Sequence, residues 1–251
     1  MALLRANTIN ELVKLTARRK TLLFLLLAVL IPFAGLPVVT RVQSGFGITA
    51  VSSADYPVAV LGLLTLFVVP LLIFLSVSDL FSGEFGDRTI RAMLVRPVSR
   101  LKIFTSKVLA VALLTAAQLA AGFAASAAAS LLLPMSPVGR MAAIGEAAIA
   151  YAAAFVPMAA IIAAAAFAAL WFRNGSGALA VCILLYAAAK LLDFFFPELA
   201  AYSPAAYTDW HLLLLQGSVP FGKLAAVFSF LLGCGIVFYT LGYYLFDKKE
   251  A

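Results

Sequence analysis

Charge is what this sequence has least of. Only 12% of its 251 residues are charged, while 65% are hydrophobic, and the mean hydropathy is +1.08. A soluble domain carries about 45–50% apolar and about 25% charged residues, so a soluble globular chain is excluded and an integral membrane protein is indicated. Histidine occurs once, at His211. No His-Glu-x-x-His or paired ligand spacing accompanies it, which leaves no metal site to predict. The two cysteines, Cys182 and Cys234, both fall inside apolar runs. They read as buried thiols packing as small hydrophobes, not as a disulfide framework. No Gly-x-x-x-x-Gly-Lys-Ser/Thr loop is present, so the chain itself should not bind or hydrolyse ATP. Ser176, between Gly175 and Gly177, is the nearest approach to an activated serine. Its only candidate base, His211, is predicted on the other side of the membrane, and a nucleophile needs its base within hydrogen-bond reach.

What is present is a series of apolar runs of bilayer length. Residues 1–20 read as an amphipathic surface helix: Leu4, Ile9, Leu12, Val13 and Thr16 recur at helical spacing, with Glu11, Lys14, Arg18 and Arg19 mainly on the other side. Spans are predicted at about 21–39, 58–77, 108–133, 142–172, 176–196 and 223–246, giving an all-α protein of six transmembrane helices. Pro70 predicts a kink in the second span and Pro157 interrupts the fourth. Thr40 to Pro57 is polar and reads as an outer loop. Residues 197–222 hold Tyr202, Tyr207, Trp210 and His211 around the short run Leu212–Leu215. That run is too short to cross, and it predicts a re-entrant or interfacial hairpin on the outer side, before the last span.

Two places within the spans invite a functional question. Gln118, Gly122, Ser126 and Ser130 recur every fourth residue of the third span. Small residues at this spacing let helix backbones approach closely, and Gln118 could equally line a polar transport path. Lys190 and Asp193 stand three apart near the outer end of the fifth span. They read either as an interfacial ion pair with a snorkelling lysine or as a substrate contact.

The long charged interruption is Ser78 to Lys107, with three acids, Asp79, Glu84 and Asp87, and six bases, Arg88, Arg91, Arg96, Arg100, Lys102 and Lys107. Burying six bases at helix centres would cost on the order of 15–20 kcal/mol at about 2.5–3.5 each, so residues 78–107 are expected in water or at headgroup level. Asp87 can cap a short helix that Arg96-Pro97 ends, and Ser99 can cap the helix leading through Lys107 into the third span. With this segment inside, fourteen of the eighteen bases fall on the inner side, and only Arg41, Arg140, Lys190 and Lys223 lie outward. This is the positive-inside pattern of a multi-pass protein of the cell membrane with both termini cytoplasmic. The bases flank apolar runs, as lipid-headgroup contacts and topology determinants do, and imply no nucleic-acid partner.

In its order of elements the whole chain resembles the permease subunits of type 2 ABC exporters. Glu84, Thr89-Ile90, Leu94, Pro97-Val98-Ser99-Arg100 and Lys107 match that family's degenerate pattern between the second and third spans. The resemblance implies two paired permease chains, identical or related, each with a separate cytosolic ATP-binding subunit. ATP and magnesium would lie on that subunit, with no cofactor on this chain. It implies coupling to ATP through Glu84, Asp87, Arg88, Thr89 and Arg91, with Pro97 and Arg100 shaping the elbow, and an export path lined by the second and fifth spans of both chains. An apolar interior points to an amphipathic substrate. Gln118, Lys190 and Asp193 are the candidate path residues. The alternative is an ion-coupled secondary transporter or channel without an ATPase partner. Such proteins place ionisable groups or broken helices near the midplane, and the second, third and fourth spans here carry no midplane charge.

Overall fold

The computed structural model describes residues 2–46, 52–83, 99–134, 136–196, 198, 202–215 and 219–249. Among them the chain is all-helical. Six helices are long and apolar enough to cross a membrane. The first helix, α1 (Ala2–Thr16), precedes α2 (Arg19–Phe46), the composite span α3 (Tyr56–Gly83), α4 (Arg100–Ser130), α5 (Pro137–Ala169) and α6 (Gly175–Phe195). A 3-10 turn (Pro204–Tyr207) and the short helix α7 (His211–Leu215) then lead to α8 (Phe221–Lys248). Helices α3, α4 and α5 make the buried centre, while α2, α6 and α8 lie at the periphery. The periphery exposes apolar side chains such as Leu26, Leu30, Leu184, Leu191 and Ile236, the surface that hydrocarbon solvates.

Several helices reach beyond their predicted ends. The outer loop expected from Thr40 is helical as far as Phe46. Residues 78–83, expected in the charged interruption, continue α3 as a wider π turn, with Ser78, Leu80, Phe81 and Ser82 buried. From Arg100 the chain is already α4, with Ile103, Phe104, Ser106 and Lys107 buried. Polar residues are tolerated there because they face other helices, which a one-dimensional hydropathy reading does not register.

Without water at membrane depth, every backbone carbonyl needs a partner inside the protein. A helical proline has no N–H and leaves the carbonyl four residues earlier without its usual donor. Pro70 frees Leu66 in this way, and the Tyr186 hydroxyl of α6 donates to that oxygen at 3.0 Å. Pro157 frees Ala153, and Trp210 Nε1 donates to it at 2.8 Å. The kink predicted at Pro70 lies directly after a π turn at Leu64–Val68, and Tyr56 donates its hydroxyl to the carbonyl of Pro32 in α2. Aromatic donors thus tie α6 to α3, the hairpin to α5, and α3 to α2.

The row Gln118, Gly122, Ser126 and Ser130 is buried. A Cβ at Gly122 would lie 2.7 Å from Leu64 Cδ1, 3.5 Å from Tyr151 and 4.0 Å from the Ala28 carbonyl. The glycine therefore lets α4 approach α2, α3 and α5 at one point.

Tyr186→Phe should remove the donor to Leu66 while keeping the ring that stacks edge-on against Phe74 at 5.5 Å. The expected loss is about 0.5–2 kcal/mol of stability, read as a lower melting temperature in nanodiscs, with Trp210→Phe giving a similar fall. An unchanged melting temperature in both would remove the claim that these bonds hold the broken helices.

Candidate functional site

One end of the bundle gathers the charged side chains. Here α1, the π turn of α3, the start of α4, the junction of α5 and α6, and the end of α8 converge. The sequence pattern placed Glu11 on the polar face of α1, away from the apolar side chains. In the structure Thr8, Glu11 and Leu15, one turn apart, form the face that packs against α4, and Ile9 and Val13 are exposed. Glu11 is 2% and Lys107 0% exposed. Lys107 Nζ lies 3.4 Å from Glu11 Oε2, and Lys14 Nζ lies 3.1 Å from Glu11 Oε1. One carboxylate therefore faces two ammonium groups, which offsets part of the desolvation cost of burying an ion pair.

A second ion pair joins the same helical layer. Arg18 Nη1 lies 2.5 Å from Asp79 Oδ2 on the π turn. Both side chains are partly exposed, so this pair contributes at most about 1 kcal/mol. Its interest is positional: Asp79 is near the end of the helix entering residues 84–98, and Lys107 is near the start of the helix leaving them. The N-terminal segment is thus ion-paired to both flanks of that stretch. Between the flanks, Phe81 and Phe104 pack at 5.5 Å, and each meets Phe246 of α8, at 6.3 and 5.6 Å.

The carbonyls that end α5 are held from two sides. Ser82 Oγ donates to Ala169 O at 2.6 Å, and Lys249 Nζ donates to Leu170 O and Phe172 O at 2.7 and 3.0 Å. A cation at a helix C-terminus also meets the negative end of the helix dipole. Burial and the neighbouring Arg173 push the Lys249 pKa below its ordinary value. Asn174 caps α6, its Oδ1 accepting from the Ser176 N–H at 3.1 Å.

Of the predicted coupling residues, Glu84, Asp87, Arg88, Thr89, Arg91 and Pro97 lie outside the described residues, as does the expected short helix from Asp87 to Val95. Arg100 opens α4 and donates to the backbone carbonyl of Asp247, tying α4 to the end of α8. Ser99 occupies the N-cap position with extended backbone, and its side chain makes no cap bond; the backbone carbonyl accepts from Lys102 N–H at 2.9 Å instead.

The candidate path residues stand in two places. Gln118 is fully buried in α4, and neither amide atom has a hydrogen-bond partner among the described residues. Lys190 does not pair with Asp193 as their spacing suggested. Its Nζ donates to Thr208 Oγ1 of the hairpin at 2.8 Å, because the hairpin folds back over α6 and offers a closer oxygen. His211, expected at headgroup level, is 0% exposed. Burial lowers its pKa against the opposing effect of Asp209.

The residues that sequence reasoning missed are Glu11 and Asp79. Glu11 is the only acid before Asp55, and a solitary carboxylate within a basic, apolar segment is a signal for a specific cationic partner. Lys107→Met should leave the Glu11 carboxylate buried without its interhelical partner and cost about 3–5 kcal/mol. Glu11→Leu with Lys107→Met should recover much of that loss. A double-mutant cycle of melting temperatures in nanodiscs checks this, and additive losses would exclude coupling between the two residues.

Comparison with curated proteins found no match. The family described as ABC-2 family transporter protein matches residues 9–189, which takes in Glu11, Asp79 and Lys107, the first four spans and most of the fifth. The chain belongs to the ABC-2 transporter family and is a multi-pass permease component of an ABC transporter, the membrane part and not the catalytic one.

Proposed function

We propose that this permease is driven by ATP hydrolysis on a separate cytosolic subunit and moves its substrate outward. One observation carries the coupling part of the reading. The N-terminal segment is ion-paired through Arg18 to Asp79 and through Glu11 to Lys107, the two flanks of residues 84–98. A displacement imposed on that stretch from the cytosol would therefore be transmitted to α1, α3 and α4 together. A buried ion pair suits such a link, since separating its charges at membrane depth is far more costly than bending a solvated loop.

In this reading Glu84, Asp87, Arg88, Thr89 and Arg91 meet the ATP-binding subunit, and Pro97 and Arg100 shape the elbow into α4. The partner carries ATP and magnesium. Two permease chains, identical or related, complete the assembly in the cell membrane, with both termini cytoplasmic. The family as a whole works with an ATP-binding subunit and forms dimers. An amphipathic substrate fits the apolar interior. Gln118, Lys190 and Asp193 remain the candidate path residues, Gln118 because a fully buried amide with no partner among the described residues is costly unless something meets it.

Gentle affinity purification from native membranes, with mass spectrometry of the intact complex, should recover a two-plus-two assembly with an ATP-binding subunit. Glu84→Ala with Arg88→Ala should lose that subunit or uncouple its hydrolysis from export. A chain recovered only with itself, or full coupling in the double variant, would overturn the proposal. A cysteine placed at the exposed Ser99, with Cys182 and Cys234 changed to serine, should react with an impermeant maleimide only from the cytoplasmic side. Labelling from outside would reverse the topology.

A further inference from the structure

The charged end of the bundle has two corners of different balance. Where α1 meets α3 and α4, bases and acids pair: Lys107 and Lys14 with Glu11, and Arg18 with Asp79. Where α8 ends against α5, bases gather without such pairing. Lys249 Nζ reaches the carbonyls of Leu170 and Phe172, which brings the last turn of α8 beside Arg173. Lys248 is next to it in the chain, and Arg100 donates to the carbonyl of Asp247 from the α4 side. Arg100, Arg173 and Lys248 are exposed, and none of the three forms an ion pair among the described residues. In the segments that meet here, 100–104, 167–175 and 240–249, Asp247 is the only acid. The charge left to be met is positive.

The surface leading to this corner is apolar. Val237, Leu241 and Tyr244 of α8 are exposed. With Lys248 they follow one another at intervals of four, three and four residues, which sets them in one stripe along the helix. Lys248 Nζ lies over the Tyr244 ring, 4.5 Å from its centroid, so the ammonium group stands at the end of the stripe, held by the ring. Trp171, just beyond α5, is 68% exposed. Its ring meets Phe167 at 6.2 Å, and Phe167 meets Phe238 of α8 at 5.9 Å. An exposed Trp and Tyr at the end of an apolar surface mark the level at which hydrocarbon gives way to headgroups. Over about three turns the surface of α8 thus passes from hydrocarbon to aromatic to cationic.

We propose that the corner between α5 and α8 binds an anionic phospholipid, its acyl chains along Val237 and Leu241, its glycerol region beside Tyr244 and Trp171, and its phosphate at Arg173 and Lys248. Basic sites between transmembrane helices suit lipid headgroups, and a phosphate accepts charge-assisted hydrogen bonds from both guanidinium and ammonium groups. The apolar stripe selects an anion that carries hydrocarbon over a free one. A second copy of the chain fits this corner less well, since a two-fold contact would set unpaired bases against their own kind. The site does not rest on the transport reading; only the leaflet that supplies the lipid follows from the topology proposed above.

The test places the full chain in phosphatidylcholine nanodiscs with a rising fraction of phosphatidylglycerol, one lipid or the other carrying brominated chains. Quenching of Trp171 is read as the difference between the chain and its Trp171→Phe variant. Phosphatidylglycerol should associate at least about tenfold more strongly than phosphatidylcholine. Lys248→Gln should lower that preference about fivefold, and Arg173→Gln with Lys248→Gln should remove it; both side chains are exposed and can change without loss of folding. Lys20→Gln, an exposed base elsewhere at the same end, should leave the preference unchanged. Equal quenching by the two lipids, or equal losses in Lys20→Gln and Lys248→Gln, would overturn the site. Relief of the quenching by millimolar inorganic phosphate would also overturn it, by assigning the bases to a soluble anion. With Cys182 and Cys234 changed to serine, Leu241→Cys should not cross-link between copies, and efficient cross-linking would put a second chain on the stripe in place of the lipid.

Discussion

The obligation to satisfy backbone carbonyls away from water shapes this protein more than any side-chain contact. Four prolines interrupt helices that must cross the membrane, Pro32 and Pro37 in α2, Pro70 in α3 and Pro157 in α5. Each removes a donor that no water can replace. At Leu66 and Ala153 the missing donor comes from an aromatic side chain on another element, Tyr186 and Trp210. A break in one helix therefore becomes a bond between two. The positions of α6 and of the hairpin follow from this, and so does the cleft they enclose with α5 and α8.

The other end of the bundle is ordered by charge. Lys107 and Glu11 form a buried pair at the contact of α1 with α4, the exposed Lys14 adds a second cation to the same carboxylate, and Arg18 with Asp79 extends the group to α3. Hydrophobic association adds little between helices in lipid, since lipid tails are as apolar as leucine. Packing and polar links must hold such an interface. The triangle of Phe81, Phe104 and Phe246 supplies the packing beside the ion pairs, and Gly242, whose Cβ would stand 3.2 Å from Phe104, lets α8 close upon it. For a permease, a link of this kind at the end facing the charged stretch is where a mechanical input can enter.

The two ends divide the work. The ion-paired end joins segments far apart in sequence into one body, while the hairpin, α5, α6 and α8 enclose an apolar cleft. Gln118 lies in neither cluster, inside α4 and four residues before the glycine at which α2, α3 and α5 come together. A conformational change in the bundle would be felt at this crowded point, where the amide has no partner among the described residues.

Much of this was legible in one dimension. Apolar runs of bilayer length between clusters of bases determined an all-α membrane protein of six spans, because no other arrangement hides so many apolar residues and so few charges. The small-residue row of the third span and the prolines of the second and fourth marked close approach and broken helices by the same local rules. Tertiary structure alone decided what meets those features. Glu11 faces Lys107 across 96 positions, Tyr186 reaches Leu66 across 120, and Lys190 turns to Thr208 instead of to Asp193 one turn away. Helical periodicity assigns a residue to a face but not the face to a neighbour. Polar pairs between helices leave little trace in hydropathy, so hydropathy reads out how many helices cross, while the atoms that hold them together are set by which faces meet in the folded chain.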